Sequence, residues 1–594
     1  MKDEGQRGFI PMEWQKRTKY CGEVSVKDAG KEVVLNGWVN SRRDHGGLIF
    51  LDLRDRTGVV QVVINPDNKD SFPLAQRVRS EYVLAVSGKV SKRPKGTENE
   101  NIATGQVEVE TSALQLISKS KALPFELDEA DKVDERTRLQ YRYLDLRRPA
   151  GYMALELRHK VVQRVRNFLN NQGFLEIETP DLTKSTPEGA RDFLVPSRLQ
   201  AGHFYALPQS PQLFKQILMV AGFEKYYQLA RCFRDEDLRA DRQPEHTQID
   251  LEMSFVKKDD VINLSEQLLA ETFLEIGQKI EVPLKRMCYG DAIKYYGNDK
   301  PDTRFDLLLS DVSDIFTKSE FKVFANVIKN GGVIKGLKID KASSLTRKKF
   351  DEYTDYCRGL GAGGLVWMVI DNEIKSPVAK FLSAAEKKSL INSFEANPGD
   401  VIFLVADKTE VVNQVLGSFR LLLAEEFKLI KPGFHLLTVI DFPMFEYDEE
   451  EKRLKSHHHP FTMPTEDSLD LLDKDPLLAS ANAYDFIING VEVGGGSLRI
   501  FDPKLQEKIF GLLGIAKQEA NDKFGFLLKA LDYGAPPHGG VAFGLDRLVM
   551  LLAGRQSIRD VIAFPKTQAG TDLMTNAPDI VSDKQLKELR LKTE

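Results

Sequence analysis

A strand, a charged loop and a second strand, YYQLARCFRDEDLRADRQPEHTQIDLEMSF at 226–255, constrain this chain more than any other segment. On the second strand Thr247, Ile249, Leu251 and Met253 alternate with His246, Gln248, Asp250 and Glu252. Successive strand side chains point to opposite faces, so one face is largely apolar and the other wholly polar. By the same rule Arg234 and Glu236 share a face of the first strand. Such a sheet is either solvated on one side or forms the floor of a polar pocket, and the pattern alone leaves both open.

A second cluster lies in YDFIINGVEVGGGSLRI, 484–500. Asn489-Gly490 between apolar alternation is a two-residue hairpin signal. It pairs Ile487 with Glu492 and Asp485 with Gly494, which places Asp485 and Glu492 diagonally on one face. Two close carboxylates suit Mg²⁺ carried by a nucleotide's phosphates; the plain alternative is a flexible glycine hairpin. Arg499 has the wrong parity for that face in an unbroken strand, and the three glycines are where a correcting bulge is expected. They would also let backbone approach a ligand closely. In GGVAFGLDRLVMLLAG, 539–554, a strand end leads into a helix with Asp546 and Arg547 near its start. Asp546 there reads as a cap. Arg547 opposes the helix dipole, and makes sense if it faces an anion such as phosphate.

The 594 residues should hold several domains. Residues 1–120 are β-rich, with strands expected at 31–40, 47–55, 58–64, 81–90 and 106–118 and a short helical stretch before the fourth. Five strands in that length suit a small closed barrel of the OB type, a common oligonucleotide binder. Residues 121–150 are charged with little periodicity and read as a hinge. A long amphipathic helix follows from 151 and ends at Gly173, then an extended GFLEIETP. Residues 303–425 read as an inserted α+β module between two parts of one domain, 151–302 and 426–570. The tail, 571–594, is polar and expected to be partly loose. Gly359, Gly361 and Gly364 spell GxGxxG, but they follow a helix and precede a strand, the reverse of a dinucleotide site.

Hydrophobic residues at 42%, charged residues at 29% and a net charge of −5 indicate a globular protein whose nucleic-acid-binding surface, if any, is local. Cys21, Cys232, Cys288 and Cys357 are far apart and suggest reduced thiols rather than disulfides or a zinc site. No apolar run reaches a membrane span, and the acidic start resembles no leader peptide, so a cytoplasmic enzyme is expected.

GFLEIETP ending at Pro180, FRDED at 233–237 with its partner strand, and GLDR at 544–547 resemble the three signature motifs of class II aminoacyl-tRNA synthetases. QSPQLFKQ (209–216), RADRQPEHTQID (239–250), HHPFT (458–462) and GGGSLRI (494–500) resemble, more narrowly, bacterial-type aspartyl-tRNA synthetases, which also carry an insertion where 303–425 lies. The resemblance covers essentially the whole chain. It implies an α+β multidomain fold: an N-terminal OB barrel, a class II catalytic domain built on an antiparallel sheet, and the inserted domain. It also implies activation of L-aspartate with ATP and Mg²⁺, followed by transfer to tRNA.

For the amino acid, it implies that Arg499 grips the side-chain carboxylate with a two-pronged fork that lysine lacks. Lys215, on a helix begun by Ser210-Pro211, adds a second positive charge. Asp250 favours the ammonium, Gln212 and His458 fix orientation, and Glu188 sits in a mobile lid at 183–193. For ATP, Arg234 meets the α-phosphate and Arg547 the γ-phosphate. Glu236 and Gln248 serve the adenine side, and Asp485 and Glu492 hold Mg²⁺. His246 stands where the family usually stacks a phenylalanine on adenine, which implies a weaker stack with pH-dependent charge. No general base for the transfer step is evident. His457–His459 lack the nearby ligands that a metal site needs.

The helix at 154–172 and the strand ending at Pro180 match the family's dimer-forming motif, so a homodimer is expected. On the barrel, NSRRDHGGLIF (40–50) is the anticodon candidate, with Arg42 and Arg43 as contacts and His45 in the connecting loop. A histidine followed by glycine resembles the family members that charge both tRNA-Asp and tRNA-Asn; a strictly discriminating enzyme is the alternative. Asparaginyl- or lysyl-tRNA synthetases share barrel and core, but the insertion and the GGGSLR segment argue against them. A non-catalytic relative would have lost Arg234, Arg547 or the acidic pair. An asparagine synthetase on the same catalytic fold would have no use for the barrel.

Overall fold

The computed structural model describes residues 14–186, 190–237 and 241–592, the side chains of 130 and 131 excepted. The chain divides into two compact units, Met1–Met153 and Ala154–Glu594. No helix among the described residues is long and apolar enough to cross a membrane.

In the first unit β1 (Glu32–His45), β2 (Leu48–Asp55), β3 (Gly58–Ile64), β4 (Val83–Lys92) and β5 (Val107–Ser118) close into a barrel of order β1-β2-β3-β5-β4, with the short helix α1 (Phe72–Ala75) before β4. Alternation sends Val33, Leu35, Leu51, Leu53, Val60, Val62, Leu84 and Val86 inward to one core. His45 is the last residue of β1 and pairs with Leu48; the connection itself is only Gly46-Gly47, with φ of +60° and +80°. The expected position of His45 in a loop is therefore corrected, because two glycines suffice for the reversal. The charged 121–150 stretch carries a 3-10 turn and short helices. Phe125, Leu127 and Leu144 bury together there, a cluster too small to show as periodicity.

The second unit takes up α2 (Pro149–Asn171) from Ala154 onwards, and the helix is ended by Gly173 at φ +80°. Its buried positions Ala154, Val161, Val165 and Leu169 recur at helical spacing. Then come β6 (Leu175–Glu176), α3 (Gln212–Val220), β7 (Lys225–Phe233), β8 (Glu245–Ser254), β9 (Lys285–Cys288) and α4 (Tyr289–Tyr296). The inserted segment follows: β10 (Ser310–Asp311), β11 (Val333–Ile339), α5 (Arg347–Gly359), β12 (Val366–Val369), β13 (Val401–Asp407) and α6 (Thr409–Glu426). It has its own sheet, β10-β11-β13-β12, and its own apolar clusters. The GxGxxG glycines run out of α5 towards β12, a helix-to-strand turn. The chain returns through β14 (Leu436–Ile440), β15 (Ala483–Ile488), β16 (Val491–Leu498), β17 (His538–Gly544) and α7 (Leu545–Leu552). Beyond 570 the polar tail still forms a helix, Asp583–Leu589, capped by Ser582.

The main sheet has the order β9-β14-β15-β16-β17-β8-β7-β6; its six inner strands pair antiparallel and the two edge strands parallel. Register decides what each face carries. Phe486, Phe543 and Ile249 fall in one cross-strand row, and Tyr484, Val541, Leu251 and Tyr227 in the next; these pack on α2. The opposite face carries Asp485, Gly495, Ala542, Asp250 and Gln228 in one row, and Ser497, Gly540 and Glu252 in another.

The hairpin is closed by Asn489 (φ +53°) and Gly490 (φ +80°), and Ile487 pairs with Glu492 as expected. Asp485, however, pairs with Gly495 rather than Gly494. The bulge falls at Val493, ahead of the glycines, because the Val493 side chain is drawn into the apolar core on the other face. That single extra residue puts Asp485, Glu492 and Arg499 on one face. The glycines make room for the protein's own carboxylates: a Cβ on Gly495 would lie 2.3 Å from Asp485 Oδ1, and one on Gly540 would lie 2.1 Å from Glu252 Oε2 and from the Leu251 carbonyl. Gly540→Ala is accordingly expected to destabilise the protein by about 3 kcal/mol or more, since backbone blocks one side and a buried ion pair the other. Gly525→Ala, with its nearest neighbours at 3.9 Å, is expected to be neutral or mildly stabilising. Urea midpoints of the two variants against the parent check this.

Candidate active site

The polar face floors a cavity of about 630 Å³, a size that holds small-molecule substrates. Its centre is a network of side chains that are only 0% to 3% exposed: Lys215, Asp250, Glu252 and Arg499. Lys215 Nζ lies 2.8 Å from Asp250 Oδ2 and 3.2 Å from Glu252 Oε2. Arg499 donates from Nε to Glu252 Oε1 at 2.9 Å and from Nη2 to Oε2 at 3.2 Å. The fork expected for a substrate is thus half committed to Glu252. The Nη1 end of Arg499 donates to Ser497 Oγ at 2.7 Å and meets His459 Nε2.

Burial and pairing compete at each group. Burial works to raise Glu252, but Arg499 and Lys215 overrule it and hold the carboxyl below its usual range. Asp250 is pushed up to about 6, burial outweighing the pull of Lys215. Its Oδ2 meets Lys215, while its Oδ1 is buried with no hydrogen-bond partner. Arg234 Nε and His458 Nδ1 are buried and unpartnered in the same way. An unpaired buried polar atom is costly, and a ligand relieves that cost.

At the other end of the cavity, β15 and β16 present Asp485 and Glu492. Burial, then the like charges of Glu492 and Asp299, push the Asp485 carboxyl well above the usual range. His458 Nε2 stands 3.6 Å from Asp485 Oδ1. Arg547, in the first turn of α7, donates to the Glu492 carbonyl at 2.6 Å and to Asp241 at 3.3 Å, which offsets its place at the positive helix end. Asp546 is not the cap. Gly544 occupies that position, and the Asp546 carboxylate accepts from the Thr247 amide at 2.8 Å and from Arg158, tying α7 to β8 and α2.

Arg234 and Glu236 also line the cavity, but β7 ends at Phe233, so the arginine is set by the bond from its amide to the Pro244 carbonyl rather than by strand parity. Glu236 accepts from Arg242 at 3.1 Å, and Gln248 from the Cys232 thiol at 3.3 Å. Gln212 begins α3, whose N-cap is Pro211; Ser210 Oγ accepts from the Gln212 amide at 3.3 Å, so the helix starts one residue later than the sequence suggests. Gln212 donates to Gln216 at 3.0 Å. Glu188 and Arg239 lie outside the described residues. His246 lines the cavity with its pKa lowered to about 4, by burial and then by Arg234. Its charge change is thereby moved to lower pH, and the ring is neutral near pH 7.

Glu252, His459, Ser497 and Lys300 belong to the site without having been assigned roles from sequence. Glu252 had a signal, its parity with Asp250. Lys300 comes from an aperiodic loop and had none.

In the barrel, Arg42 donates to the Ala75 carbonyl at 3.1 Å and to Asp44 at 2.8 Å. Arg43 donates to Asp52 at 3.0 Å and to Gln61 at 3.3 Å, next to the bond from Gln61 to Glu108.

Residues 134–568 match the family of tRNA synthetases class II (D, K and N), and 33–117 match the OB-fold nucleic acid binding domain. The fold is that of a class II aminoacyl-tRNA synthetase. An aspartate–tRNA(Asp/Asn) ligase of Caldanaerobacter subterraneus subsp. tengcongensis is 54% identical, over 97% of this chain and 98% of its own, and an aspartate–tRNA ligase of Bacillus licheniformis is 54% identical over the same shares. An asparaginyl-tRNA synthetase of Pyrococcus horikoshii, solved with asparaginyl-adenylate, shares the fold with a TM-score of 0.59 at 20% identity, over 92% of this chain and 98% of that one. The chain belongs to the aspartyl-tRNA synthetase family, and is an aminoacyl-tRNA ligase that uses ATP.

Burial lowers the pKa of His458, as of His246, to about 4, with neighbouring His457 adding to the shift at His458. In the unfolded chain both return to about 6.5. Between those values the unfolded state binds more protons, so stability contributed by these groups is present above pH 6.5 and is lost as pH falls towards 4. His246→Phe is expected to shrink the drop in urea midpoint between pH 7 and pH 5, measured against the parent.

Proposed function

We propose that this enzyme activates L-aspartate as aspartyl-adenylate and esterifies it to both tRNA-Asp and tRNA-Asn. The observation that carries the first half is the unpartnered Asp250 Oδ1 beside Lys215 and Arg499. A buried acceptor awaiting a cation, next to two buried cations, complements an ammonium and a carboxylate on one small molecule. The aspartate ammonium takes Asp250 Oδ1. Its side-chain carboxylate takes the Nη1 end of Arg499 and the Lys215 ammonium, the Glu252 clamp keeping the guanidinium in place. Glu188 is proposed to close over the amino group, and Gln212 and His458 orient the substrate.

The α-carboxylate then attacks the α-phosphorus of ATP in line, and pyrophosphate leaves. Arg234, with its unpartnered Nε, meets the α-phosphate, and Arg547 the γ-phosphate. His246 stacks on adenine as a neutral ring, with Glu236 and Gln248 beside it. Asp485 and Glu492, whose mutual repulsion a cation would relieve, fit the Mg²⁺ that accompanies ATP and screens its phosphates. Positioning and charge complementarity carry the rate, since no covalent protein intermediate is needed.

The second half rests on the barrel and on the relatives. The ligase from Caldanaerobacter is named for both tRNAs, and this chain has His45-Gly46 at the end of β1. A neutral histidine offers a donor and an acceptor, and so tolerates either pyrimidine at the base where the two anticodons differ. Arg42 and Arg43, already anchored by Asp44 and Asp52, would hold backbone or base. The working enzyme is proposed to be a cytoplasmic homodimer pairing through α2 and β6.

The test is aspartate-dependent ATP–pyrophosphate exchange against asparagine and lysine controls, then charging of both transcripts by wild type and His45→Leu. Aspartate alone is expected to support exchange. Wild type should charge tRNA-Asn within about tenfold of tRNA-Asp, the histidine contact being worth ~1 kcal/mol, and His45→Leu should lose tRNA-Asn selectively. Charging of tRNA-Asn at under a hundredth of the tRNA-Asp efficiency would contradict relaxed selection.

A further inference from the structure

Lys300 occupies a place that the activation chemistry described above leaves unexplained. It lies in the loop between α4 and the inserted segment, and its Nζ is 3.2 Å from Glu492 Oε2 and 3.8 Å from Asp299 Oδ2. It also opposes the repulsion that Glu492 and Asp299 exert on buried Asp485. An ammonium is therefore already seated on Glu492, one of the two carboxylates read here as the seat of a divalent cation, and the inference rests on that reading.

The loop is fastened on both sides. The Lys300 amide donates to Asn298 Oδ1 at 2.9 Å. Arg304 forks onto Asp302, with bonds of 3.0 and 2.6 Å. From α6, the buried Arg420 donates to the carbonyls of Asp302 at 2.8 Å and Phe305 at 3.1 Å, its guanidinium packed over the rings of Tyr296 and Phe305. Gly297 abuts the Asn413 carbonyl of α6 so closely that a Cβ would meet it at 2.5 Å. Asp302 packs against the hairpin glycine, Gly490. A lysine on a loose surface loop would make an ion pair of little consequence. This one is delivered to the carboxylates by a backbone locked to the inserted helix α6 and to the hairpin that bears Glu492.

We propose that Lys300 is the resident counter-ion of the Asp485–Glu492 pair, competing with a divalent cation for it until the phosphates of a nucleotide draw the ammonium away. Two cations cannot share one carboxylate edge without repulsion, so a bare divalent ion meets a site already neutralised. Metal and nucleotide together present both a stronger cation for the carboxylates and an anion for the lysine. The pair thereby favours metal that arrives with nucleotide over metal alone.

The probe is Mn²⁺ alone, titrated into nucleotide-free protein and followed by electron paramagnetic resonance. Lys300→Met is expected to bind Mn²⁺ at least about tenfold more tightly than wild type, the scale of one like charge removed from a partly screened position. Lys300→Arg, which keeps the charge, should match wild type, and Lys300→Met with Glu492→Gln should lose the gain. Unchanged Mn²⁺ affinity in folded Lys300→Met, or a gain that survives Glu492→Gln, overturns the proposal. A parallel titration with ATP separates the two readings. If Glu492→Gln weakens Mn²⁺ binding in the ATP complex while Lys300→Met gains nothing without ATP, the carboxylate pair stands as the cation seat and only the role of Lys300 falls. If Glu492→Gln leaves the ATP complex unaffected, the seat itself is misassigned.

Discussion

Glu252 and Arg499 meet on the floor of the cavity through two hydrogen bonds, the carboxylate wholly buried and the guanidinium nearly so. Two charges out of water are costly unless each has the other and the remaining polar atoms are satisfied. The surrounding chain is arranged around that requirement. Gly540 has no side chain because the Glu252 carboxylate lies where a Cβ would be. The bulge at Val493 brings Arg499 to the same face. Lys215 on α3 takes the other side of Glu252, and Asp250 then balances Lys215. Ser497 and His459 meet the far end of the guanidinium. The result is a chain of alternating charge with one acceptor, Asp250 Oδ1, left over.

The same sheet separates two tasks by register. Apolar residues from β15, β17, β8 and β7 bury against α2, while alternate positions of β15 and β8 carry Asp485, Asp250 and Glu252 on the floor. Asp546 links the layers, since its carboxylate reaches both the β8 backbone and Arg158 of α2. A shift of one residue in any inner strand would exchange core for site, so packing of the apolar face fixes the geometry of the polar one.

Much of this was legible in the chain. The two-residue alternation at 246–253 gave both faces of β8, and Asn489-Gly490 gave the hairpin and the Ile487–Glu492 pair. Turn glycines and alternation gave all five barrel strands. The losses have physical reasons. The bulge sits at Val493 because a tertiary contact, burial of one valine, decides between neighbouring positions that look alike in sequence. Asp546 reads as a cap because Asp is a common capping residue; its true partners, Arg158 and Thr247, lie hundreds of residues away. Glu252 had the right parity, but nothing local reveals that its partner is Arg499. Lys300 sits in a loop without period, and only the clamp from α6 brings it to the site.

The central claim is that Glu252 serves the substrate by holding Arg499. Glu252→Gln keeps the shape and removes the charge, and aspartate-dependent pyrophosphate exchange reads the consequence. Breaking one partner of a buried ion pair costs about 3 to 5 kcal/mol. The specificity constant for aspartate is therefore expected to fall by at least about a hundredfold, with the apparent KM for ATP little changed and the protein still folded by circular dichroism. Exchange within about threefold of wild type, a difference of under ~1 kcal/mol, would contradict the account, since Arg499 would then be positioned without the carboxylate that the sheet is built around.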